Sequence, residues 1–182
     1  MALREILLVD NSLLRQKSKK VRSIDASVQR LIDDLFETMR HAYGVGLAAP
    51  QVGQLRRVIV IQVPEGEPLA LVNPQVVKRA GERIVEEGCL SIPGWRGEVK
   101  RSVTVTVKAL NREGREVRIK ASDDLLAQAL EHEIDHLDGV LYIDHLIAPD
   151  KLWKVPPPQE QEAPEEGSEG ETELVGAGQP GL

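Results

Sequence analysis

Aromatic residues and cysteine are both scarce in this chain of 182 residues. Phe, Trp and Tyr together make up 3% of the sequence, so a hydrophobic core must be built mainly from Val, Leu, Ile and Ala. The single cysteine, Cys89, excludes an intramolecular disulfide and is typical of a protein that works in a reducing compartment. Hydrophobic residues still account for 41% of the chain, which is enough for one globular domain.

Long hydrophobic runs are missing as well. No stretch approaches the ~20 consecutive apolar residues that a membrane-spanning helix needs. The first ten residues carry Arg4, Glu5 and Asp10 around a very short apolar run, which is too short and too charged for a secretory signal peptide. Together with the lone cysteine, these absences predict a cytoplasmic protein without a membrane partner.

Negative charge is unevenly distributed along the chain. The net charge is -6, but residues 155–182 contain seven Glu and no Lys, Arg or Asp. Residues 1–154 hold 23 basic and 22 acidic side chains and are therefore nearly neutral. A body of this charge lacks the strongly basic surface of a nucleic-acid-binding protein, so we expect no direct nucleic-acid partner. The short basic segment from Arg15 to Arg22 is interpreted as a solvated face.

The composition changes abruptly after Lys154. Three consecutive prolines begin at Pro156, and the following segment is dominated by Glu, Gly, Gln and Ser. Such a segment has too little apolar surface to offset the entropy lost on ordering it. The sequence therefore predicts a folded domain over residues 1–154 and a disordered, flexible acidic tail over residues 155–182.

One helical pattern is followed by several strand-like patterns in the first half of the body. Apolar residues from Ser23 to Tyr43 recur at helical spacing and are followed by Gly44 and Gly46, which predicts an N-terminal helix. Strand-like runs then occupy residues 57–63, 69–72, 75–79 and 83–87.

Two further patterns complete the body. Valines alternate with polar residues from Val99 to Leu110, which predicts one half-buried strand, and a turn at 111–114 would pair it with residues 115–120. Ser122 is a good N-cap for a second helix, which Gly139 should end. Helices and hairpins without βαβ alternation favour an α+β domain. We expect its antiparallel sheets to pack around the second helix.

The strongest functional motif lies on that helix, at His132-Glu133-Ile134-Asp135-His136. Residues four apart share a helix face, so both imidazoles can bind one metal ion, with Glu133 beside them to move protons for a bound water. From average composition, the pattern would arise by chance in roughly 1% of chains of this length or fewer. The motif therefore predicts a catalytic metal site rather than a chance pattern on a surface helix.

Two histidines leave a hydrolytic metal one protein ligand short, and four features of the sequence compete for that place. A metzincin-type continuation would require histidine where Tyr142 stands, and His145 comes three residues too late. In thermolysin-like enzymes a glutamate on a second downstream helix completes the set, but no such helix is predicted. Cys89 is the fourth candidate. A lone cysteine is usually a small core residue, but a Gly/Pro-rich loop predicted at 93–97 would let the backbone pass close to a metal.

Three motifs, taken together, resemble peptide deformylases. Glu87-Gly88-Cys89-Leu90-Ser91 precedes the His-Glu-x-x-His motif, and the glycine-rich segment 44–51 precedes both, in the family's order and at its spacing. The segment from Asp10 to Val21 is also similar, although Asn11 stands where proline is common. The likeness covers roughly residues 3–150 and is far more specific than the histidine motif alone.

The resemblance implies a metal centre in which Cys89, His132 and His136 hold the ion, with water in the fourth position. Glu133 would act as general base and then as general acid. The resemblance points to one Fe²⁺ ion, which Zn²⁺, Ni²⁺ or Co²⁺ may replace.

The resemblance also implies the reaction: hydrolysis of the formyl group on the N-terminal methionine of new polypeptides, with release of formate. Gln51 and the backbone N–H of Leu90 would face the developing oxyanion. Gly46 would lie near the bound substrate, and Glu87 would support the loop.

Substrate-binding residues can be predicted from their positions. Residues 125, 128 and 129 lie seven, four and three positions before His132 and share its helix face, and residues 45 and 85 adjoin the other two motifs. The predicted pocket residues are Val45, Val85, Leu125, Gln128 and Ala129. A largely apolar pocket suits a methionine side chain. Arg96 follows the cysteine motif and can either bind a peptide carbonyl or lie on the surface.

The C-terminal end departs from the family pattern. Related enzymes often end in a basic or amphipathic helix that has been linked to ribosome contact, whereas this chain ends in the acidic segment. RNA phosphates would repel that segment. We therefore expect N-formylmethionyl nascent peptides as partners and, at most, transient proximity to the ribosome. The tail is interpreted as a solubilising appendage or as a docking segment for a basic protein.

Two alternatives remain open. A zinc endopeptidase could use the same helix, and it would cut unformylated peptides internally without needing Cys89. An inactive metal-binding module is the other, although such a module would need neither Glu133 nor Gln51.

Overall fold

A computed structural model describes residues 2–156, so the predicted tail from residue 157 onward lies outside the described residues. The described part contains two α-helices, α1 (Ala26–His41) and α2 (Leu125–Leu137). Its strands are β1 (Gly46–Ala48), β2 (Val58–Ile61), β3 (Leu69–Ala80), β4 (Arg83–Cys89), β5 (Ile92–Arg101), β6 (Thr104–Leu110), β7 (Glu116–Ser122) and β8 (Leu152–Lys154). Neither helix of this part is long and apolar enough to cross a membrane.

The strands form two antiparallel sheets, which confirms the predicted α+β class. One sheet has the order β1-β2-β3-β6-β7, and the other has the order β4-β5-β8. Helix α2 packs on the larger sheet through Leu130, Ile134 and Leu137, and it also contacts the smaller sheet through polar side chains. The predicted central position of the second helix is therefore confirmed.

Strand β2 lies between the two helices and is buried on both faces. Ile59 and Ile61 belong to the cluster around α2, whereas Val58 and Val60 belong to the cluster around α1. This split follows from the alternation of side chains along a strand. The core is aliphatic, as the scarcity of aromatic residues predicts.

Helix α1 confirms the predicted N-terminal helix with shorter bounds. Asp25 is its N-cap, because the carboxylate accepts hydrogen bonds from the backbone N–H groups of Ser27 and Val28. The helix ends at His41, where the N–H of Gly44 bonds to the carbonyl of Met39.

The single strand predicted over residues 99–110 is wrong. It is divided between β5 and β6, which lie in different sheets. Ser102 marks the break, since its backbone N–H and hydroxyl donate to the carboxylate of Glu131 on α2, at 2.8 and 3.0 Å. Conversely, the two runs predicted over 69–72 and 75–79 form the one strand β3, which is irregular at Asn73 (φ 53°).

The predicted start of the second helix is also wrong. Ser122 is the last residue of β7, and its hydroxyl lies 2.7 Å from that of Thr104. Asp124 caps the helix instead, by accepting from the N–H of Ala127 at 2.7 Å. Gly139 follows the helix end at φ 74°, as predicted. The hairpin over residues 104–122 is confirmed.

The loop predicted after the cysteine is a third correction. Pro93, Gly94 and Gly97 all lie in β5, which turns back on β4 directly after Leu90 and Ser91. The close approach of the backbone is made by a tight strand connection rather than by a long loop. A side chain at Gly97 would collide with Leu146 and the carbonyl of Lys151, which explains glycine at that position.

Candidate metal centre and active site

One face of α2 carries both histidines of the motif. His132 and His136 are separated by one helical turn, and their ring centroids lie 5.0 Å apart. The opposite face packs on the larger sheet, so the helix cannot rotate without exposing its apolar side chains. Burial of that face therefore aims the two imidazoles at the smaller sheet.

Cys89 reaches the histidines from the end of β4. Its Sγ lies 3.3 Å from Nε2 of His136. One donor atom from each of Cys89, His132 and His136 lies within 4.8 Å of the others. Among the four predicted candidates for the third ligand, the structure brings Cys89 into place. His145 instead pairs with Asp135 at 3.0 Å.

His132 is oriented by a carboxylate. Its Nδ1 lies 2.8 Å from Oε2 of Glu87, which leaves Nε2 free to face a metal. A carboxylate behind a histidine ligand fixes the ring and raises its basicity. Glu87 is buried, and its carboxylate points at His132 rather than at solvent.

Glu87 is held in turn by Arg101. The guanidinium donates from Nε and Nη2 to the two carboxylate oxygens, at 2.8 and 2.9 Å. Burial alone would raise the pKa of Glu87, but the hydrogen bonds from His132 and Arg101 outweigh it and lower the pKa to about 2. Glu87 is therefore an anion at neutral pH.

The network continues from Arg101 to the surface. Nη1 of Arg101 donates to Oδ2 of Asp135 at 2.6 Å, and the same oxygen lies 3.0 Å from Nε2 of the half-exposed His145. Burial would raise the pKa of Asp135, but the hydrogen bond to His145 and the charge of Arg101 lower it instead. A buried arginine is thus compensated by two carboxylates.

The pKa values of Cys89 and His132 are both shifted by their surroundings. Burial would raise the pKa of the Cys89 thiol, but the positive charge of His136 and the hydrogen bonds with both histidines lower it well below its ordinary value. Burial would lower the pKa of His132, whereas the hydrogen bonds to Cys89 and Glu87 raise it well above its ordinary value. The thiolate, which is the form that binds metals, is therefore favoured.

Two buried polar atoms at the site have no hydrogen-bond partner within the described residues: Nδ1 of His136 and Oε2 of Glu133. Unpaired buried polar atoms are rare and usually mark a missing ligand or water. A thiolate and two imidazoles are suitable ligands for Zn²⁺ or Fe²⁺, and both rings can present Nε2. The residues present therefore fit a single divalent metal.

Glu133 is positioned beside this group, with 5% of its surface exposed. Burial is the main cause that raises its pKa, to about 7. A carboxylate with a pKa near neutrality can both accept and return a proton at the pH of a cell. A side chain at Gly46 would overlap the Glu133 carboxylate, so strand β1 approaches it without one.

Gln51 joins the site from the short 3₁₀ turn after β1. Its Oε1 accepts from the N–H of Ala48 at 2.9 Å. Its Nε2 lies 3.1 Å from the hydroxyl of Ser91 and 3.6 Å from the sulfur of Cys89. The amide orientation is therefore fixed, with the donor end turned towards the sulfur. Ser91 is the fully buried partner of this amide, a role that the sequence did not predict.

Leu90 follows Cys89 directly and packs on the α1 cluster. A side chain at Gly44 would meet its Cδ1 at 2.8 Å, so the glycine-rich segment and the cysteine motif fit closely together. Three segments that are distant in sequence thus converge: 44–51, 87–91 and 132–136.

The predicted pocket residues lie around this centre in different environments. Ala129 is buried in the core cluster, whereas Leu125 is 41% exposed and does not join that core. Gln128 donates to the carbonyl of Glu86 at 2.9 Å, across to β4. Val85, on β4, packs against the smaller cluster beside Cys89.

Two more of the predicted residues are placed by the strands. Arg96, on β5, is half-exposed and pairs with Glu86 at 3.2 Å. Val45 precedes β1, and its carbonyl accepts from the N–H of Gln62 at 2.8 Å.

Sequence reasoning missed Arg101 and the role of Asp135. Arg101 lies twelve residues after Cys89 with no motif around it, so only its neighbours in space reveal it. Asp135 lies inside the histidine motif, but only its contacts with Arg101 and His145 show why an acid is there.

Fold and site together define a class. A helix with two histidines and an adjacent glutamate, joined by a thiolate from a strand, is the arrangement of a mononuclear metal-dependent hydrolase. Comparison with known proteins identifies the family within this class.

A sequence profile of the polypeptide deformylase family matches residues 3–152. The peptide deformylase of Dehalococcoides mccartyi (strain CBDB1) is 53% identical over 167 residues, which cover 91% of this chain and 98% of that protein. The chain therefore belongs to the polypeptide deformylase family, whose members remove N-formyl groups by hydrolysis.

Solved structures of peptide deformylases have the same fold as this chain. A crystal structure of a peptide deformylase from Legionella pneumophila superposes with a TM-score of 0.78 at 47% identity, over 82% of this chain and 89% of that one. The peptide deformylase of Thermotoga maritima gives a TM-score of 0.78 at 37% identity, over 81% of this chain and 100% of that one.

Proposed function

We propose that this chain hydrolyses the formyl group of N-terminal formylmethionine in new polypeptides, with Cys89, His132 and His136 holding one metal ion and Glu133 transferring the proton. The observation that carries the proposal is the convergence of three donor atoms within 4.8 Å of one another, beside a buried glutamate whose Oε2 has no partner in the described chain.

The ion we propose is Fe²⁺, and Zn²⁺, Ni²⁺ or Co²⁺ would occupy the same ligands. When bound, a divalent ion polarises the formyl carbonyl and lowers the pKa of water towards neutrality. The contribution of the protein is to hold Cys89 as a thiolate and to fix His132 through Glu87, so that the ligand set is formed before the metal arrives.

Glu133 performs the proton transfer. Its carboxylate takes one proton from the attacking water as oxygen bonds to the formyl carbon, and it delivers that proton to the amine nitrogen as the carbon–nitrogen bond breaks. The products are formate and a free amino terminus. A pKa of about 7 suits both steps.

Gln51 and the backbone N–H of Leu90 stabilise the charge that develops on the formyl oxygen. Support for Gln51 comes from the fixed orientation of its amide, which turns Nε2 towards Cys89. Loss of one such donor typically lowers the rate about 100- to 1,000-fold.

The methionine side chain of the substrate would occupy the face of α2 around Leu125, Gln128 and Ala129. Val45 and Val85 complete this apolar surface, and Gly46, which lies against the Glu133 carboxylate, would lie near the bound substrate. Arg96, whose side chain is half-exposed on β5, would contact a carbonyl of the peptide further along. Because formylmethionyl chains emerge during translation, the cytoplasm and transient proximity to the ribosome form part of the proposal.

Formate release from formyl-Met-Ala-Ser tests the proposal directly. Full-length protein loaded with Fe²⁺ without oxygen is compared with Cys89→Ala and Glu133→Ala, and bound metal is measured in each. We expect turnover by the unsubstituted protein alone. Cys89→Ala should lose metal and activity together, whereas Glu133→Ala should keep one metal per chain and lose activity.

The alternatives have distinct outcomes in the same assay. Internal cleavage of an unformylated peptide, unaffected by Cys89→Ala, would identify an endopeptidase instead. Stoichiometric metal binding with neither activity would identify an inactive metal-binding module.

A further inference from the structure

A groove with basic walls lies apart from the candidate metal centre. Residues 19–23 and 54–56, together with Asp25, Ser27 and Val28, line a cavity of about 510 Å³. A second cavity of about 230 Å³ adjoins it and shares Ser27, Gln54 and Arg56 with it. We call this continuous feature the basic groove. None of the three candidate metal ligands lines it.

The walls of the basic groove are preformed. The N–H of Lys19 bonds to the carbonyl of Leu55 at 2.9 Å, and the carbonyl of Lys19 accepts from Arg57 at 3.0 Å. The N–H and carbonyl of Val21 are both bonded to the side-chain amide of Asn73. A ligand would therefore find this backbone already in position.

Positive charge in the basic groove is not neutralised by its neighbours. Lys19, Lys20 and Arg22 are exposed and form no salt bridge within residues 2–156. The side chain of Arg56 donates to the neutral hydroxyl of Ser27, and its charge also acts on the Asp25 carboxylate.

The acidic side chains of the basic groove are already engaged. Asp25 caps α1, and Asp34 is paired with Arg4. An acidic ligand would therefore meet the cations Lys19, Lys20 and Arg22, whereas the charge of Arg56 is partly balanced by the nearby Asp25.

The chain itself contains a ligand of matching charge. Residues 157–182 carry seven Glu and no Lys or Arg. We propose that this acidic C-terminal segment binds in the basic groove of its own chain and covers the positive surface there.

Reach and local concentration favour this partner. A random coil of 26 residues, the length of residues 157–182, has a root-mean-square span of about 25–30 Å, whereas a domain of this size has a radius of gyration of about 15 Å. Tethering raises the effective concentration of the segment to about the millimolar range. Because exposed ion pairs are individually weak and screened by salt, the contact should depend on several pairs at once and weaken as ionic strength rises.

Carbodiimide cross-linking of the full chain tests the proposal, because the reagent joins lysine to glutamate only where they touch. Lys78 and Lys120 are the matched controls, since they are exposed and lie on either side of Thr106 in the larger sheet, outside the basic groove. In the monomeric fraction at low salt, we expect glutamates of residues 160–173 to be joined to Lys19 and Lys20 at least about tenfold more often than to the controls. High salt should abolish this preference.

A second measurement, of RNA binding, distinguishes the acidic segment from other occupants of the basic groove. Replacing all seven Glu of the segment by Gln should open the basic groove, so that an RNA oligonucleotide binds about tenfold more tightly at low salt, and Lys19→Glu with Lys20→Glu should remove that gain. Equal cross-linking of groove and control lysines would overturn the proposal. Cross-links found only in covalent dimers would show that the acidic segment of a second copy occupies the basic groove. Equal RNA affinity with and without the Gln substitutions would show that the segment does not cover the groove, which would then be available to nucleic acid.

Discussion

Nδ1 of His132 lies 2.8 Å from the carboxylate of Glu87, so a histidine on α2 is oriented by a side chain two residues before Cys89 on β4. The two proposed ligands are thereby coupled, because the strand that supplies the thiolate also sets the ring of the histidine. Metal binding should depend on this contact as well as on the ligands themselves.

Glu87→Gln should weaken metal binding about 10- to 100-fold, since partners behind a ligating histidine typically contribute that much. The glutamine can still contact Nδ1, but it carries no negative charge to raise the basicity of the ring. Competition with a chromophoric chelator measures the affinity. Glu86→Gln is the matched control, because the Glu86 side chain is exposed and its carboxylate pairs with the half-exposed Arg96 rather than with a histidine. Equal affinities in the two variants would show that the Glu87 contact does not support the metal.

Arg101→Met should destabilise the fold by about 3–5 kcal/mol, because it leaves Glu87 and Asp135 as poorly compensated buried anions. The arginine side chain is 3% exposed and bonds to both carboxylates. Urea unfolding of metal-free protein measures the free energy of unfolding. Arg96→Met, on the same strand but 49% exposed in its side chain, should change it by less than about 1 kcal/mol. A similar small change at Arg101 would contradict a structural role for the network.

Local patterns predicted those parts of the site that lie on one element. The spacing of His132 and His136 places them on one helix face whatever the rest of the chain does. Arg101 could not be predicted in this way, because its partners come from β4 and α2 and meet it only in the folded domain. Cys89 is an intermediate case. The resemblance to the family identified it as a ligand, whereas motif spacing alone left four candidates for the third ligand.

The fold likewise combines features that local patterns predict with features that depend on contacts between residues distant in sequence. The alternation of valines over residues 99–110 is real on each side of the break, but no local pattern reveals that Ser102 binds Glu131 and that the chain changes sheet there. The helix start failed for a related reason. Ser122 and Asp124 are both good caps, and pairing of Ser122 with Thr104 in β6 decides between them.

Gly46→Ala should lower kcat/KM at least about 100-fold, since small displacements of a catalytic group have effects of that size. An added Cβ would overlap the carboxylate of the buried Glu133 and displace it. Bound metal should remain at one ion per chain, because the three atoms nearest the added Cβ all belong to Glu133, which is not a proposed ligand. Gly44→Ala is the control. Its one contact under 3.0 Å would be with the flexible end of Leu90, so the loss should be much smaller. Comparable losses in both variants would indicate a general disturbance of β1 rather than an effect on Glu133.

Asp34→Asn should reduce stability by about 1–3 kcal/mol at neutral pH. Oδ2 of Asp34 accepts from the guanidinium of Arg4 at 2.8 and 2.6 Å, and Oδ1 accepts from the N–H of Ala2 at 2.8 Å, so one carboxylate fastens the N-terminal segment to α1. Burial would raise the pKa of Asp34, but these hydrogen bonds lower it below the ordinary value of 3.8.

A lowered pKa in the folded state fixes the direction of the pH effect at Asp34. The stabilisation is fully present above the pKa of the unfolded chain, about 3.9, and is lost as the pH falls through the lower folded value. The stability difference between the unsubstituted protein and Asp34→Asn should therefore be constant from about pH 5 upward and shrink below about pH 4. Urea unfolding at a series of pH values measures it. Asp33→Asn, whose carboxylate forms a half-exposed pair with Arg112, should have an effect of less than about 1 kcal/mol. A difference at Asp34 that stays unchanged down to pH 3 would show that the ionised carboxylate is not what fastens the N-terminal segment.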